Sequence, residues 1–241
     1  EYQKLKDLLK TRGRNADSWG NIMLGQGGIK EIVKQDFDVL ICAIVGIAAL
    51  PYIADAIFYA KSGANIGLAN KEALVCAGDI LMDAASNSGV NIIPIDSEHH
   101  SIHQIFPFDK VCELSKIILT SSGGPFFNMP IEEFHLITPK MAVKHPKWNM
   151  GRKISVDSAT MMNKGLEVIE ASKLFPVKPS QIEVLVHPQS IIHGMVELAD
   201  ASLLAGMSVT DMRVPISYSL NFPDRLKEQG AKYYLNLAEI G

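Results

Sequence analysis

The sequence has little cysteine and no surplus of positive charge. Its three cysteines, Cys42, Cys76 and Cys112, stand far apart with no CxxC pair. That spacing excludes a disulfide framework and a paired-cysteine zinc site, and it points to a reducing compartment. Lys and Arg total 23 against 26 Asp and Glu, a net charge of −3. Without a basic excess there is nothing to neutralise a run of phosphates, which excludes nucleic acid as the main ligand. A local cluster of Lys and Ser can still hold one small anion. Nor is there a run of the roughly 20 apolar residues that cross a bilayer. The longest uncharged stretch, Val39–Ala54, falls short and contains Gly46 and Pro51. No signal peptide opens the chain, which begins Glu-Tyr-Gln-Lys without an initiator Met and so reads as a fragment; a targeting segment upstream stays open. Internal repeats and low-complexity segments are absent.

What is present is material for a core. Hydrophobic residues make up 47% and charged residues 20% of 241 positions, enough for one large domain or two modest ones. Residues 4–12 carry Leu5, Leu8 and Leu9 on one helical face, and 29–35 read as another short helix. DVLICAIVG is a continuous Val/Ile-rich run, the pattern of a strand buried on both faces of a parallel sheet. A helix over 50–62 stopped by Gly63, a strand NIGLAN, a helix KEALVCAGDILMDAASNSG and a strand VNIIPID follow. This β-α-β-α-β order predicts an α/β fold with a doubly wound parallel sheet. Beyond residue 110 the pattern becomes α+β. KIILTSSGGPF, KISVDSA, QIEVLVHP, IHGMVEL and ASLLAG read as strands, MMNKGLEVIEASKLF as a helix, and 128–153 as irregular. From Phe222 the chain reads as a linker.

Ligands of open α/β sheets bind beyond the carboxyl ends of the strands, so GIAAL, ANKEA and DSEHH are the first places to look for chemistry. Asp96 and Glu98, two apart at a strand end, would present two carboxylates in one direction. Such a pair needs a cation or a proton between its members. The same residues also suit a helix start, with Asp96 or Ser97 as the cap and Glu98 in the first turn. Glu167 lies four residues after Asn163, on one helix face. Oxygen donors from Asp96, Glu98 and Glu167 would suit Mg²⁺ or Mn²⁺; taken alone, Glu167 reads more commonly as a solvated helix residue. His99 and His103 are four apart but form no HExxH, and histidines on a helix surface or packed beside the carboxylates fit better than zinc. Ser158, Asn163 and Lys164 would offer hydroxyl, amide and ammonium donors to one phosphate. Ordinary cap and turn chemistry is the alternative, and it is favoured for Ser121-Ser122-Gly123-Gly124 taken alone. Lys71 sits at the carboxyl edge of the sheet, either as a surface residue or placed to stabilise negative charge developing on a metal-bound carbonyl. GQGGIK at 25–30 matches neither common phosphate-loop pattern and reads as a turn.

LANKEALV, PIDSEH, SSGGPF, KHPKWNMGRKISVDSATMMNKGLE, VHPQSIIHGMVE and DMRVP occur in this order. Together they closely resemble the 1-deoxy-D-xylulose 5-phosphate reductoisomerase family, over nearly all of 30–223. The resemblance implies a partial Rossmann-like NADPH-binding domain over 1–94, a catalytic α+β domain with a flap over 95–221, and a linker over 222–241. It implies isomerisation of 1-deoxy-D-xylulose 5-phosphate and reduction by NADPH to 2-C-methyl-D-erythritol 4-phosphate, in non-mevalonate isoprenoid biosynthesis. It further implies a need for Mg²⁺, Mn²⁺ or Co²⁺, a homodimer, inhibition by fosmidomycin, and a bacterial cytoplasmic or plastid-type location.

Carried over residue by residue, the resemblance makes Asp96, Glu98 and Glu167 metal ligands. Lys71, Glu98 and His145 are implied in catalysis. Ser97, Ser122, Trp148, Ser158, Asn163 and Lys164 join Lys71, Glu98, His145 and Glu167 around the substrate. Asn70, Glu72, Gly151 and Met212 would touch NADPH. Residues 144–151 resemble a flap in which Trp148 closes over substrate, where a permanent core anchor is the alternative. The family's glycine-rich dinucleotide loop and terminal helical domain do not occur in this sequence. Two rival readings are a zinc hydrolase or lyase using His99 and His103, and a non-catalytic sugar-phosphate binder.

Overall fold

The computed structural model describes residues 2–13, 22–146, 148, 150–226 and 234–240. The elements run in the order α1 (Tyr2–Thr11), α2 (Gly25–Ile32), β1 (Val39–Cys42), α3 (Leu50–Tyr59), β2 (Asn65–Leu68), α4 (Lys71–Ser88), β3 (Asn91–Pro94) and α5 (Ser97–Ile105). There follow β4 (Leu114–Ser121), α6 (Pro139–Ala142), α7 (Arg152–Ala159), α8 (Met162–Leu174), β5 (Ile182–Val186), β6 (Ile192–Leu198), β7 (Leu203–Met207), α9 (Arg213–Asn221) and α10 (Leu237–Ile240).

Two sheets organise these elements. The first is parallel, in the order β1-β2-β3, with Ile66 level with Leu40 and with Ile92. The second is mixed, in the order β5-β4-β6-β7, with β4 parallel to β5 and antiparallel to β6. The expected α/β fold, a doubly wound pattern followed by an α+β half, is what the chain adopts. One continuous core joins the halves: Ile66, Leu74 and Ile57 from the first pack into the same cluster as Ile117, Leu119, Phe175 and Val196 from the second.

Full burial falls on β2 rather than on the run that begins at Val39. Among the described residues β1 pairs on one side only, so Val39, Leu40 and Ile41 are half-buried and the strand stops at Cys42. The helix read over 50–62 ends at Tyr59. GQGGIK is not a turn but the start of α2, which ends at Ile32 rather than at residue 35. A side chain on the buried Gly28 would strike Met23 at 2.8 Å, so packing outweighs glycine's poor helix propensity there. KISVDSA is helical, not a strand. Its apparent period of two gives way because Ile154 and Ser158, four apart, both face the central cavity, while Val156 points to solvent. The sequence pattern also missed α9, whose Pro215 lies in the first helical turn, where a missing N–H costs nothing. Within 128–153 the chain is largely irregular, with a short turn of helix at Ile131–Leu136 and α6.

Two contacts fix the site. Helix α5 lies directly on β6 and β7 because Gly194 and Gly206 face it. A Cβ at Gly194 would come within 3.1 Å of the Glu98 carbonyl oxygen, and one at Gly206 within 2.9 Å of that of Ser101. Helix α4 packs along α8. The first contact sets the height of Glu98, and the second brings the residues of α8 towards those of β2 and β3.

Candidate functional site

A cavity of about 320 Å³ opens where β2, β3 and β4 end, walled by α7 and α8. Each strand leads to a lining residue one to three positions beyond its end. Lys71 opens α4 after β2, with Asn70 as its cap. Asp96 caps α5 after β3, its carboxylate accepting from the amides of Glu98 (3.1 Å) and His99 (3.4 Å). Asp96 can therefore serve both as cap and as ligand, because one oxygen holds the helix and the other pairs with Lys71, a fellow lining residue of the cavity.

Asp96, Glu98 and Glu167 bring carboxylate oxygens within 4.8 Å of one another. Three anions this close need positive charge, and two lysines supply it. Lys71 pairs with Asp96 and reaches Glu167 at 3.1 Å; Lys164 pairs with Glu167 and reaches Glu98 at 2.8 Å. Burial alone would lift the Asp96 pKa, but the Lys71 charge outweighs it and holds this carboxyl far below the usual range. Glu167 is only 1% exposed; burial and then the Glu98 charge push its pKa up, against Lys164 and Lys71. Burial disfavours the charged form of both lysines, yet the surrounding carboxylates win and raise their pKa values. Asn163 donates to Glu167, as the four-residue spacing suggested. Ser97 bonds Glu98.

A second layer lies beneath these carboxylates, and part of it was not singled out in the sequence. Glu170 is 2% exposed, with Oε2 3.2 Å from His99 Nδ1 and 3.9 Å from Lys71 Nζ. His99 donates through Nε2 to the Glu167 carbonyl oxygen at 2.9 Å, which leaves Nδ1 facing Glu170 and Asp96. Burial opposes a charge on this ring, but Glu170 and then Asp96 overcome it and push its pKa up to about 9. His99 and His100 are buried rather than on a helix surface. His103 does not join His99; its Nδ1 meets the Tyr218 hydroxyl at 3.0 Å. Asn163, Glu167 and Glu170 follow one another at helical spacing on a face that ends in the buried Leu174. A polar run where an apolar stripe belongs was the available signal for Glu170.

The other end of the cavity is neutral. Ser122 Oγ lies 2.9 Å from His145 Nε2, and His145 Nδ1 accepts the Trp148 amide at 2.9 Å. Nδ1 must then be unprotonated, so Nε2 carries the hydrogen and Ser122 keeps its own O–H for another acceptor. Burial lowers the His145 pKa, consistent with a neutral ring. Gly124 adopts φ +71°, and a Cβ there would sit 2.7 Å from the Ser158 carbonyl oxygen. The glycine turn thus lets Ser122 and Ser158 share one wall. Trp148 is half-buried rather than locked in the core, its ring 6.2 Å from that of His193. Lys147 and Asn149 of the 144–151 segment lie outside the described residues.

The residues tied by resemblance to NADPH are more scattered. Asn70 is 1% exposed and fully engaged: its amide donates to the carbonyls of Ile44 (2.7 Å) and Gly46 (3.0 Å), while its oxygen accepts from Ala73. It shapes the loop after β1. Glu72 is paired with Lys153 at 2.6 Å, Gly151 caps α7, and Met212 lines the cavity.

Comparison with known proteins gives a consistent answer. Two family models match: 1-deoxy-D-xylulose 5-phosphate reductoisomerase over residues 1–78, and the C-terminal domain of the same enzyme over 92–175. The 1-deoxy-D-xylulose 5-phosphate reductoisomerase of Clostridium perfringens (strain ATCC 13124) is 46% identical over 225 residues, 93% of this chain and 57% of that protein. The Caldanaerobacter subterraneus enzyme is 46% identical over 231 residues, 95% of this chain and 60% of that protein. The chain therefore spans under two thirds of the length of these relatives. A crystal structure of DOX-P reductoisomerase with NADPH, fosmidomycin and magnesium superposes with a TM-score of 0.84 at 40% identity, covering 100% of this chain and 59% of that one. The Zymomonas mobilis enzyme with NADPH gives 0.80 at 42% identity, covering 90% and 54%. Asp96, Glu98, Glu167, Lys71, Lys164, Ser122 and Ser158 sit on the motifs that carried the resemblance, and the chain belongs to the 1-deoxy-D-xylulose 5-phosphate reductoisomerase family.

Proposed function

We propose that this cavity binds 1-deoxy-D-xylulose 5-phosphate and, in the protein to which the chain belongs, converts it to 2-C-methyl-D-erythritol 4-phosphate with a divalent cation and NADPH. The observation that carries the reading is the pairing of two unlike ends in one cavity: Asp96, Glu98 and Glu167 with their lysines at one, and Ser122, Ser158 and His145 at the other. A sugar phosphate has the matching polarity, with a carbonyl and hydroxyls at one end and a remote anion at the other.

The three carboxylates fit a hard cation, since they are all-oxygen, clustered and already in need of positive charge. Mg²⁺ or Mn²⁺ is the first expectation, with Co²⁺ as a further option; bound there, the ion acts as a Lewis acid towards a carbonyl and a neighbouring hydroxyl. With the carboxylates committed to the ion, Lys71 is free to stabilise negative charge developing on the substrate oxygen. Lys164 and Asn163 are free to donate to substrate, and Ser97 stands beside Glu98. Ser122 and Ser158 hold the phosphate, and His145 keeps the Ser122 hydroxyl pointing outward. Binding energy from that remote phosphate can then hold the reacting end in place. NADPH supplies the hydride. Asn70 and Glu72 belong to the carboxyl edge where it would lie, Gly151 and Met212 flank the cavity, and the exposed Val45 and Ile47 give that edge an apolar ledge for a flat ring.

The domain division at 94/95 and 221/222 and the bacterial cytoplasm as location belong to the same proposal. So does a homodimer, supported by the exposed apolar residues Val184, Leu185, Leu203, Leu204 and Met207 on β5 and β7. Full-length protein should oxidise NADPH when 1-deoxy-D-xylulose 5-phosphate is added, and stop when EDTA removes the metal. NADPH oxidation indifferent to EDTA would reject the metal-dependent reading. Binding of the sugar phosphate without any oxidation would favour a non-catalytic binder.

A further inference from the structure

The turn joining β5 to β6 has no role in the chemistry above, yet it carries two costs on one residue. Ser190 adopts φ +55°, in the left-handed region that a residue with a Cβ seldom enters. It is only 6% exposed, and its Oγ finds no hydrogen-bond partner among the described residues. A buried hydroxyl without a partner is normally destabilising. Ser190 nevertheless lines the cavity.

The chain holds it there firmly. The Ser190 amide donates to the His187 carbonyl at 3.0 Å, and the His187 amide donates to the Ser121 carbonyl at 2.7 Å. The turn is thus stapled to the end of β4, one residue from Ser122. On the far side Thr120 Oγ1 donates to the carbonyls of Ile192 and His193, both at 2.8 Å, closing the start of β6 on the same strand. The strained conformation is therefore fixed by its surroundings, and it keeps Ser190 in the cavity wall near the end of β4.

We propose that Ser190 is a substrate-binding residue, donating its hydroxyl to the phosphate of the bound sugar phosphate beside Ser122. This rests on the sugar-phosphate reading of the cavity and extends its phosphate end to a residue on a different strand connection. The backbone conformation makes the proposal separable from a structural role. Glycine tolerates φ +55° freely, so Ser190→Gly removes the hydroxyl and relieves the strain at once, whereas Ser190→Ala removes the hydroxyl and keeps it.

The test measures binding of 1-deoxy-D-xylulose 5-phosphate by calorimetry in the presence of Mn²⁺, together with Mn²⁺ affinity and melting temperature, for wild type and both variants of the full-length protein. Loss of a hydrogen bond to a charged group should weaken sugar-phosphate binding by about tenfold to a hundredfold in both variants. Mn²⁺ affinity should be unchanged, and Ser190→Gly should melt at or above the wild-type temperature. Wild-type affinity in Ser190→Gly overturns the proposal and leaves Ser190 a conformational residue. A parallel loss of Mn²⁺ affinity overturns it too, as collapse of the whole cavity. Wild-type protein that fails to bind the sugar phosphate removes the functional reading itself, and this inference with it.

Discussion

Glu170 keeps a carboxylate almost wholly out of water, 2% exposed, with a histidine and a lysine as its company. Desolvating an ion costs several kcal/mol and is offset only by close partners. Removing Glu170 should therefore leave the positive charge of His99 and Lys71 partly uncompensated. Glu170→Ala is expected to destabilise the fold by about 3–5 kcal/mol, the usual cost of breaking a buried pair from one side. Urea unfolding would measure it, and a loss below about 1 kcal/mol would mean that the pair is dispensable. At this scale the sequence was partly legible. Asp96, Glu98 and Lys71 stood out because they follow recognisable strands, and a strand end is a known address for chemistry. Glu170 did not: its one signal is a polar run on a helix face that should be apolar, and residue type alone does not tell a solvated glutamate from one that meets a histidine of another helix. Ser190 was hidden for a different reason: a strained backbone angle leaves no trace in residue type when the residue is neither Gly nor Asn.

One side chain links the segment between α6 and α7 to the end of β4, since His145 accepts the Trp148 amide and bonds Ser122. Ligand bound at Ser122 would act on that chain directly, and the half-buried indole lies over the cavity next to His193. Trp148 fluorescence should change on addition of fosmidomycin with Mn²⁺ in a Trp19→Phe background; Trp19 itself lies outside the described residues. A signal indifferent to saturating ligand, in protein that binds it by calorimetry, would show that Trp148 does not cover the site. The elements around this segment show what periodicity can and cannot resolve. Strands β2 and β3 and helices α4 and α8 declared themselves, because long apolar runs and helical spacing agree with their surroundings. Helix α7 did not. KISVDSA alternates like a strand, but the cavity needs Ile154 and Ser158 on one side, and the buried Ser155 closes a bond to the Gly151 carbonyl at 2.9 Å. Tertiary packing overrode a seven-residue pattern.

Across the whole molecule, α5 ties both sheets and α9 into one acid-sensitive unit. His100 Nε2 accepts from the Gln104 amide at 2.7 Å, and His103 Nδ1 meets the Tyr218 hydroxyl at 3.0 Å. Burial above all, with the Arg225 charge adding to it, pushes the His100 pKa down to about 3; burial pushes His103 down to about 4. Unfolded, each titrates near 6.5. Between pH 6.5 and 4 the unfolded chain binds more protons than the folded one, so stability must fall as pH falls through this window. The contribution is fully present above pH 6.5. Melting temperatures measured from pH 7.5 to 4.5 should decline on the acid side, and His103→Gln should flatten part of that decline. A flat wild-type profile over this range would contradict the neutral, buried assignment. Among the described residues no helix is long and apolar enough to cross a membrane, and the three cysteines are free.

The carboxylates of Asp96, Glu98 and Glu167 are drawn together from two helices and a strand end. Calorimetric titration of the full-length protein with Mn²⁺ tests them most directly. The account predicts one Mn²⁺ per chain in the wild type, and Glu167→Gln binding it at least about tenfold more weakly, since one charged oxygen donor is replaced by a neutral amide. Equal Mn²⁺ affinity in the wild type and in a folded Glu167→Gln protein would contradict the account.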